Sequence, residues 1–193
     1  MSRSSVLIIM VLAGALAGLA GPARATVLGF LDEAALTRQA DSVVRGRVIA
    51  QSVALVDGRL WTDSTLEVSE VLKGRLRPGA RMLVRQPGGE RGGVGMRVVG
   101  VARFSVGEEV VLFARWSAGR HLPVGMAQGK YRLVQDSSGR LRARRDLSGL
   151  AFTALDAQGR IGVQTAAPTS GAAERSLEEL RAAVRAAGQG GGR

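Results

Sequence analysis

Apolar and polar positions alternate along the chain from Asp41 onward. Val44, Gly46, Val48 and Ala50 fall on one side, with Arg45, Arg47 and Gln51 on the other, the period of two that marks a half-buried strand. Asp57-Gly58 follows as a two-residue hairpin signal. Leu60 to Leu72 is the predicted return strand, with Leu66 and Val68 facing one way and Thr65, Glu67 and Ser69 the other. Pro78-Gly79 supplies the next turn, since proline presets φ at the first central position and glycine accepts positive φ at the second. Further strands are predicted at Met82 to Gln86, Met96 to Val99, His121 to Val124, Lys130 to Val134 and Leu141 to Ala143. Ala118-Gly119, Ser138-Gly139 and Gln158-Gly159 punctuate the later ones. Between Glu109 and Trp116 the alternation stops. Val110, Val111, Leu112, Phe113 and Ala114 form an unbroken apolar run, as a central strand covered on both faces requires. Short strands at this spacing predict a mainly β barrel or sandwich and not a βαβ fold.

Helical periodicity is confined to the ends. Asp32 to Gln39 reads as a short helix opened by acidic residues, with Leu31, Ala35 and Leu36 on one face and Arg38 in its last turn. Thr165 to Glu174 is small and polar, a linker, and Ser176-Leu-Glu-Glu179 is a capping box opening a helix through about Ala187. Leu177, Leu180 and Val184 form the apolar stripe of that helix, which is expected to dock on the β domain or on a partner. At the other end Arg3 precedes the apolar run Val6 to Ala20, then Gly21-Pro22 and Ala23-Arg24-Ala25. This is the layout of a secretory signal peptide cleaved near Ala25, and the run is short for a transmembrane span. The predicted organisation is a signal peptide over 1–25, a β domain over 26–164, a linker over 165–175, a helix over 176–187 and a tail over 188–193. Export to the periplasm or medium is expected. Removing 25 of the 193 residues leaves 168, enough for one domain with a single core.

Composition then narrows the chemistry. The chain has no cysteine, so thiol nucleophiles, Fe–S clusters and thiolate zinc sites are excluded and stability rests on packing. Losing Arg3 and Arg24 takes the formal charge from +11 to +9, and Lys73 and Lys130 are the two lysines among 27 basic residues. Such charge favours an acidic polymer or an acidic protein partner. The seven aromatic residues do not alternate with arginines as a stacking platform for nucleic acid would need.

The stretch Val84-Arg-Gln-Pro-Gly-Gly-Glu-Arg-Gly-Gly-Val-Gly95 is the most suggestive segment. A phosphate loop needs a Lys-Ser or Lys-Thr after its glycines and a helix behind it. Here Val98 stands where the third glycine of a dinucleotide fingerprint belongs, and Met96 onward has a strand pattern. Two readings remain: a long exposed inter-strand loop, or a recognition loop in which Arg85, Gln86, Gly88, Gly89, Glu90 and Arg91 make the contacts. A second candidate is a polyanion patch of Arg140, Arg142 and Arg144 along one strand with Arg132 on the preceding one. His121 is the lone histidine and lacks the companions of a metal site or a catalytic triad, so it is read as structural. Among Asp63, Glu67, Glu70, Glu108 and Glu109, a polysaccharide hydrolase would need two opposed carboxylates and sugar-stacking rings. Trp61, on the face of Asp63, is the nearest approach to that. No catalytic set, metal or cofactor is expected.

Several segments together resemble a group of uncharacterised exported bacterial proteins of small β-barrel type: Ala40 to Val48, Leu66 to Gly74, Val84 to Gly89, Phe104 to Phe113 and Gly125 to Tyr131. The similarity spans roughly Asp32 to Val134, and it implies no activity and no catalytic residue. The strand order is also similar to an OB-type barrel, closed or partly open, including the netrin-like and metalloprotease-inhibitor modules, whose usual disulfides this chain lacks. The expectation is an exported, non-catalytic binding module that recognises a protein or an envelope polymer through its Gly-rich loop. A carboxylate-dependent hydrolase and a polyanion-binding protein are the alternatives.

Overall fold

The structure, a computed structural model, describes residues 26–155, 161–164 and 174–189. The expected signal segment, the expected Gln158-Gly159 turn, most of the expected linker and the last four residues lie outside them. The chain is mainly β. Its elements are β1 (Thr26–Gly29), α1 (Glu33–Gln39), β2 (Ser42–Val56), β3 (Arg59–Lys73), β4 (Arg81–Pro87), β5 (Gly89–Arg91), β6 (Val94–Met96), β7 (Glu109–Ser117), β8 (Arg120–Pro123), a 3-10 turn (Met126–Gly129), β9 (Lys130–Gln135), β10 (Leu141–Arg144), β11 (Leu150–Leu155), β12 (Ile161–Gln164), β13 (Glu174–Ser176) and α2 (Leu177–Gln189).

Eight strands form one sheet in the order β13-β10-β9-β7-β2-β3-β4-β8. Strand β8 is bonded on both sides, to β7 by an antiparallel ladder from Ala114–Pro123 to Ser117–Arg120 and to β4 by a parallel bridge at Val84–His121. The β2–β3 hairpin turns at Asp57 (φ 49°) and Gly58 (φ 72°), both left-handed, as a two-residue turn matched to strand twist requires. Its ladder shifts register at Val43/Val44, Arg45/Gly46 and Val48/Ala50, and such bulges bend a strand. Gly46 sits at one of them. A Cβ there would lie 2.6 Å from the Glu67 carbonyl oxygen, so the close approach admits only hydrogen.

The unbroken apolar run in β7 serves two cores. Val110, Leu112 and Ala114 face one that holds Val44, Val48, Leu66, Val68, Met82, Val84 and Phe152, while Val111 and Phe113 face the other, with Leu36, Val43, Tyr131, Leu180 and Val184. All five residues of the run are fully buried. The second core lies beneath the two helices. Asp32 caps α1 by accepting a bond from the Ala35 amide (2.7 Å), and Ser176 and Glu179 close the capping box of α2. The α2 stripe docks within the chain, against α1 and β10, and Arg181 binds both oxygens of Glu70 on β3 (3.0 and 2.6 Å).

A buried ionic knot fixes α1. The Glu33 carboxylate accepts from the Tyr131 hydroxyl at 2.6 Å and meets Arg145 and Arg175, each at 3.3 Å. The Arg145 guanidinium also donates to the Leu31 carbonyl and lies over the rings of Phe30 and Tyr131. Burial in this setting pushes the Tyr131 phenol far above its ordinary range.

Several boundaries differ from expectation. The strand expected at Met96 to Val99 is displaced to Val94–Met96, because those residues pair with Gly89 to Arg91 instead of entering the main sheet. The end of the expected linker, Glu174 and Arg175, and the first residue of the expected helix, Ser176, form strand β13 on the edge of β10. Strands β1 and β11 pair in parallel in a separate three-stranded sheet with β12. The sequence pattern assigned neither, because T-V-L-G is short and L-A-F-T-A-L has no period of two.

Candidate functional site: the cleft under the glycine hairpin

The site begins with the alternation along β4. Met82, Val84 and Gln86 are buried while Leu83 and Arg85 are half-buried, so Gln86 continues the apolar face of the strand. The partner strand β3 does the same, running Val68, Leu66, Ser64 and Thr62 toward that end. The inward face therefore changes from aliphatic to polar where β2, β3 and β4 approach the hairpin. A buried polar residue is the informative kind, because it must find a partner or lose its hydration. Gln51 donates to Ser64 (3.0 Å) and to the Phe104 carbonyl (3.1 Å), and Thr62 donates to the Gly88 carbonyl (2.7 Å). None of the side-chain hydrogen bonds of the described residues reaches the Gln86 amide, although Gln86 is only 6% exposed.

That amide lines a cleft of about 610 Å³. It is lined by Val53, Thr62 and Gln86 of the sheet, by Gly89, Glu90, Arg91 and Met96 of the β5–β6 hairpin, and by the segment after it, Arg97, Val98, Ala102, Arg103 and Phe104. The Gly-rich stretch is thus a small β-hairpin and not a long open loop. It turns at Gly92 (φ 60°) and Gly93 (φ 78°), and Gly89 lies so close to β2 and β3 that a Cβ would meet Thr62 Oγ1 at 2.7 Å and a Val53 methyl at 2.8 Å. No helix follows these glycines, so the geometry of a phosphate loop is absent.

Five of the six expected contact residues, Gln86, Gly88, Gly89, Glu90 and Arg91, line this cleft. Arg85 does not. It points to the other face of β4 and grips Asp63 across the β3–β4 ladder, Nε to Oδ1 at 2.8 Å and Nη2 to Oδ2 at 2.6 Å. That bond holds the Asp63 carboxyl below its usual range.

Three of the four arginines expected in a polyanion patch, Arg132, Arg142 and Arg144, lie together on the paired strands β9 and β10. Arg132 and Arg144 are cross-strand partners on β9 and β10, both well exposed. Arg142 and Arg144 share Glu174 of β13 (3.3 and 2.8 Å). Arg140 alone lies off the strand, in the turn before β10, where it donates to Ser138. His121 is buried with its ring edge-on to Trp116, centroids 4.8 Å apart, and its Nδ1 has no partner. Burial lowers its pKa, opposed by the Leu83 backbone and Asp41.

The candidate carboxylates are not brought together. Asp63 is held by Arg85, Glu70 by Arg181, Glu108 by Lys130 (2.6 Å) and Glu109 by Arg45 (2.6 Å). Asp63 and Glu67 share a face but stand four residues apart on one strand, about 13 Å between Cα atoms, beyond the roughly 5–9.5 Å separation of glycosidase pairs. Among the described residues no group of three acidic or histidine side chains is placed to hold a metal, and no helix is long and apolar enough to cross a membrane.

Gln51, Thr62, Val53 and Phe104 were missed as site residues. A signal for the first two existed, since polar residues at inward positions of an alternating strand mark the end of the apolar core. Comparison with protein-family models and with curated proteins found no match for the chain.

Proposed function

We propose that the chain is an exported, non-catalytic binding module, built on an OB-like barrel, that holds an extended partner segment in the cleft under the glycine hairpin. The barrel reading is supported by β8, which bonds to both β4 and β7 and so links the two ends of the run β7-β2-β3-β4. The reading of export rests on the sequence layout of residues 1–25.

The observation that carries the binding role is Gln86, 6% exposed and with no side-chain hydrogen bond among the described residues, in the lining of a mixed cleft that sets Val53, Met96, Val98 and Phe104 beside Gln51, Thr62 and Glu90. An amide both donates and accepts, which suits a peptide backbone laid across Val53, Met96 and Val98. Phe104 is the one aromatic ring lining the cleft, and this favours a protein segment over an envelope polysaccharide, whose sugars pack on aromatic platforms. Non-catalytic binding is supported by the candidate carboxylates, each of which except Glu67 is already engaged by a basic side chain. Capture from the native envelope fraction tests the reading. The wild-type chain should retain a partner that a chain lacking Gly88 to Gly95 loses, while a polysaccharide as the retained species would transfer the role to the polymer. Equal capture by both chains would remove the hairpin from the site.

A further inference from the structure

We infer a second site beside the cleft under the hairpin: an oxyanion-binding cavity that shares Arg97, Val98, Val101, Ala102 and Arg103 with the cleft as a common wall and is otherwise lined by different residues. The cavity has a volume of about 340 Å³ and is lined by five basic side chains, Arg97, Arg103, Lys130, Arg132 and Arg144, against two carboxylates, Glu108 and Asp146. The carboxylates are both committed. Glu108 binds Lys130 at 2.6 Å and accepts from the Ser105 amide at 3.0 Å, and Asp146 accepts from the Ser148 amide at 3.0 Å. Arg144 has its partner in Glu174. Arg97 and Arg103, by contrast, have neither an ion pair nor a side-chain hydrogen bond among the described residues, and Arg132 has only a 3.8 Å contact with Glu108.

Three guanidinium groups with no close ion pair among the described residues therefore border one concave space, where Asp146 offsets part of the Arg103 charge. Guanidinium forks match tetrahedral and planar oxyanions, which they bind through paired charge-assisted hydrogen bonds. The space exceeds a bare phosphate, so the ligand class is a phosphate or sulfate group carried on a small molecule or sugar. This assigns the surplus positive charge to a built cavity that takes in Arg132 and Arg144 of the expected patch and leaves out Arg140 and Arg142.

Calorimetric titration tests the site, with inorganic pyrophosphate in one arm and a sulfated disaccharide in the other, at ionic strength fixed by sodium chloride. One saturable site is expected, and the tighter probe identifies the source of the oxyanion. The double variant Arg97→Ala/Arg103→Ala should weaken binding by about tenfold or more. It should fold like the wild type, since neither side chain has an internal partner, and a thermal melt checks this. Arg140→Ala/Arg185→Ala removes the same charge from positions that do not line the cavity and should leave the affinity essentially unchanged. Loss of saturable binding of both probes, or equal weakening in the two double variants, would overturn the site in favour of diffuse attraction.

Discussion

Arg85 and Asp63 face one another across the β3–β4 ladder and close a two-point ion pair, at 2.8 and 2.6 Å, on the outside of the sheet. The residue next to Arg85, Gln86, turns inward and has no such partner. One step along the strand thus separates a side chain paired across the ladder from one that lines the cleft. The pair is partly buried, at 25% and 14% side-chain exposure. A double-mutant cycle with Arg85→Ala and Asp63→Ala should give a coupling of about 1 kcal/mol. Because the folded Asp63 carboxyl sits below its ordinary value, this stability is present above about pH 4 and is lost as pH falls through the lowered folded pKa. Acid unfolding curves of wild type and Asp63→Ala that stay parallel below pH 4 would contradict it.

Replacing Gln86 by leucine should not destabilise the chain, since the amide makes no side-chain hydrogen bond among the described residues and gives way to an apolar group of similar volume. Chemical denaturation measures this. Destabilisation would show that Gln86 supports the fold instead of waiting for a ligand.

Below its ordinary pKa the only histidine should act against the fold. Burial lowers the His121 pKa in the native state, so the unfolded chain binds the proton first. The stability conferred by the neutral ring is full above about pH 6.5 and declines as pH drops below that value. In His121→Phe, which keeps a ring against Trp116, the slope of unfolding free energy between about pH 5 and 6.5 should flatten.

Tyr131 supplies the opposite sign and a clean optical probe, being the only tyrosine. Its phenol is raised in the fold, so its contribution persists below about pH 10 and is lost as pH climbs beyond. Tyrosinate absorbance at alkaline pH should appear together with loss of circular dichroism. Ionisation in a chain still folded would contradict the buried Glu33–Tyr131 bond.

Gly46→Ala tests the curvature of β2. The added methyl would meet the Glu67 carbonyl oxygen at 2.6 Å and the Val68 Cα at 3.4 Å, and this β3 backbone has little room to yield. A loss of roughly 1–3 kcal/mol is expected, while Gly95→Ala, which meets open space, should change stability far less.

The alternation of β2, β3 and β4 and the double-sided run of β7 were legible because each is a local pattern that burial enforces. The same alternation held the clue to Gln86, whose inward phase is readable from Met82 and Val84. The β5–β6 hairpin was hidden because only three residues flank each side of Gly92-Gly93, too few to show a period. The Glu33 knot was hidden for another reason. Its partners Tyr131 and Arg145 lie 98 and 112 residues away, and Arg145, read within a basic run, belongs to the interior. The cavity arginines Arg97 and Arg103 likewise converge with Arg132 only through the fold.

The central claim is that the cleft under the hairpin binds an extended partner. It is tested most directly by placing a photo-reactive benzophenone amino acid at Glu90, on the wall of the cleft, and for comparison at Arg140, away from it. The two chains are then irradiated in exporting cells. The account predicts one defined adduct from position 90, greatly reduced by Gln86→Leu, and none from position 140. Equal adducts from both positions, or an adduct at 90 indifferent to Gln86, would contradict it.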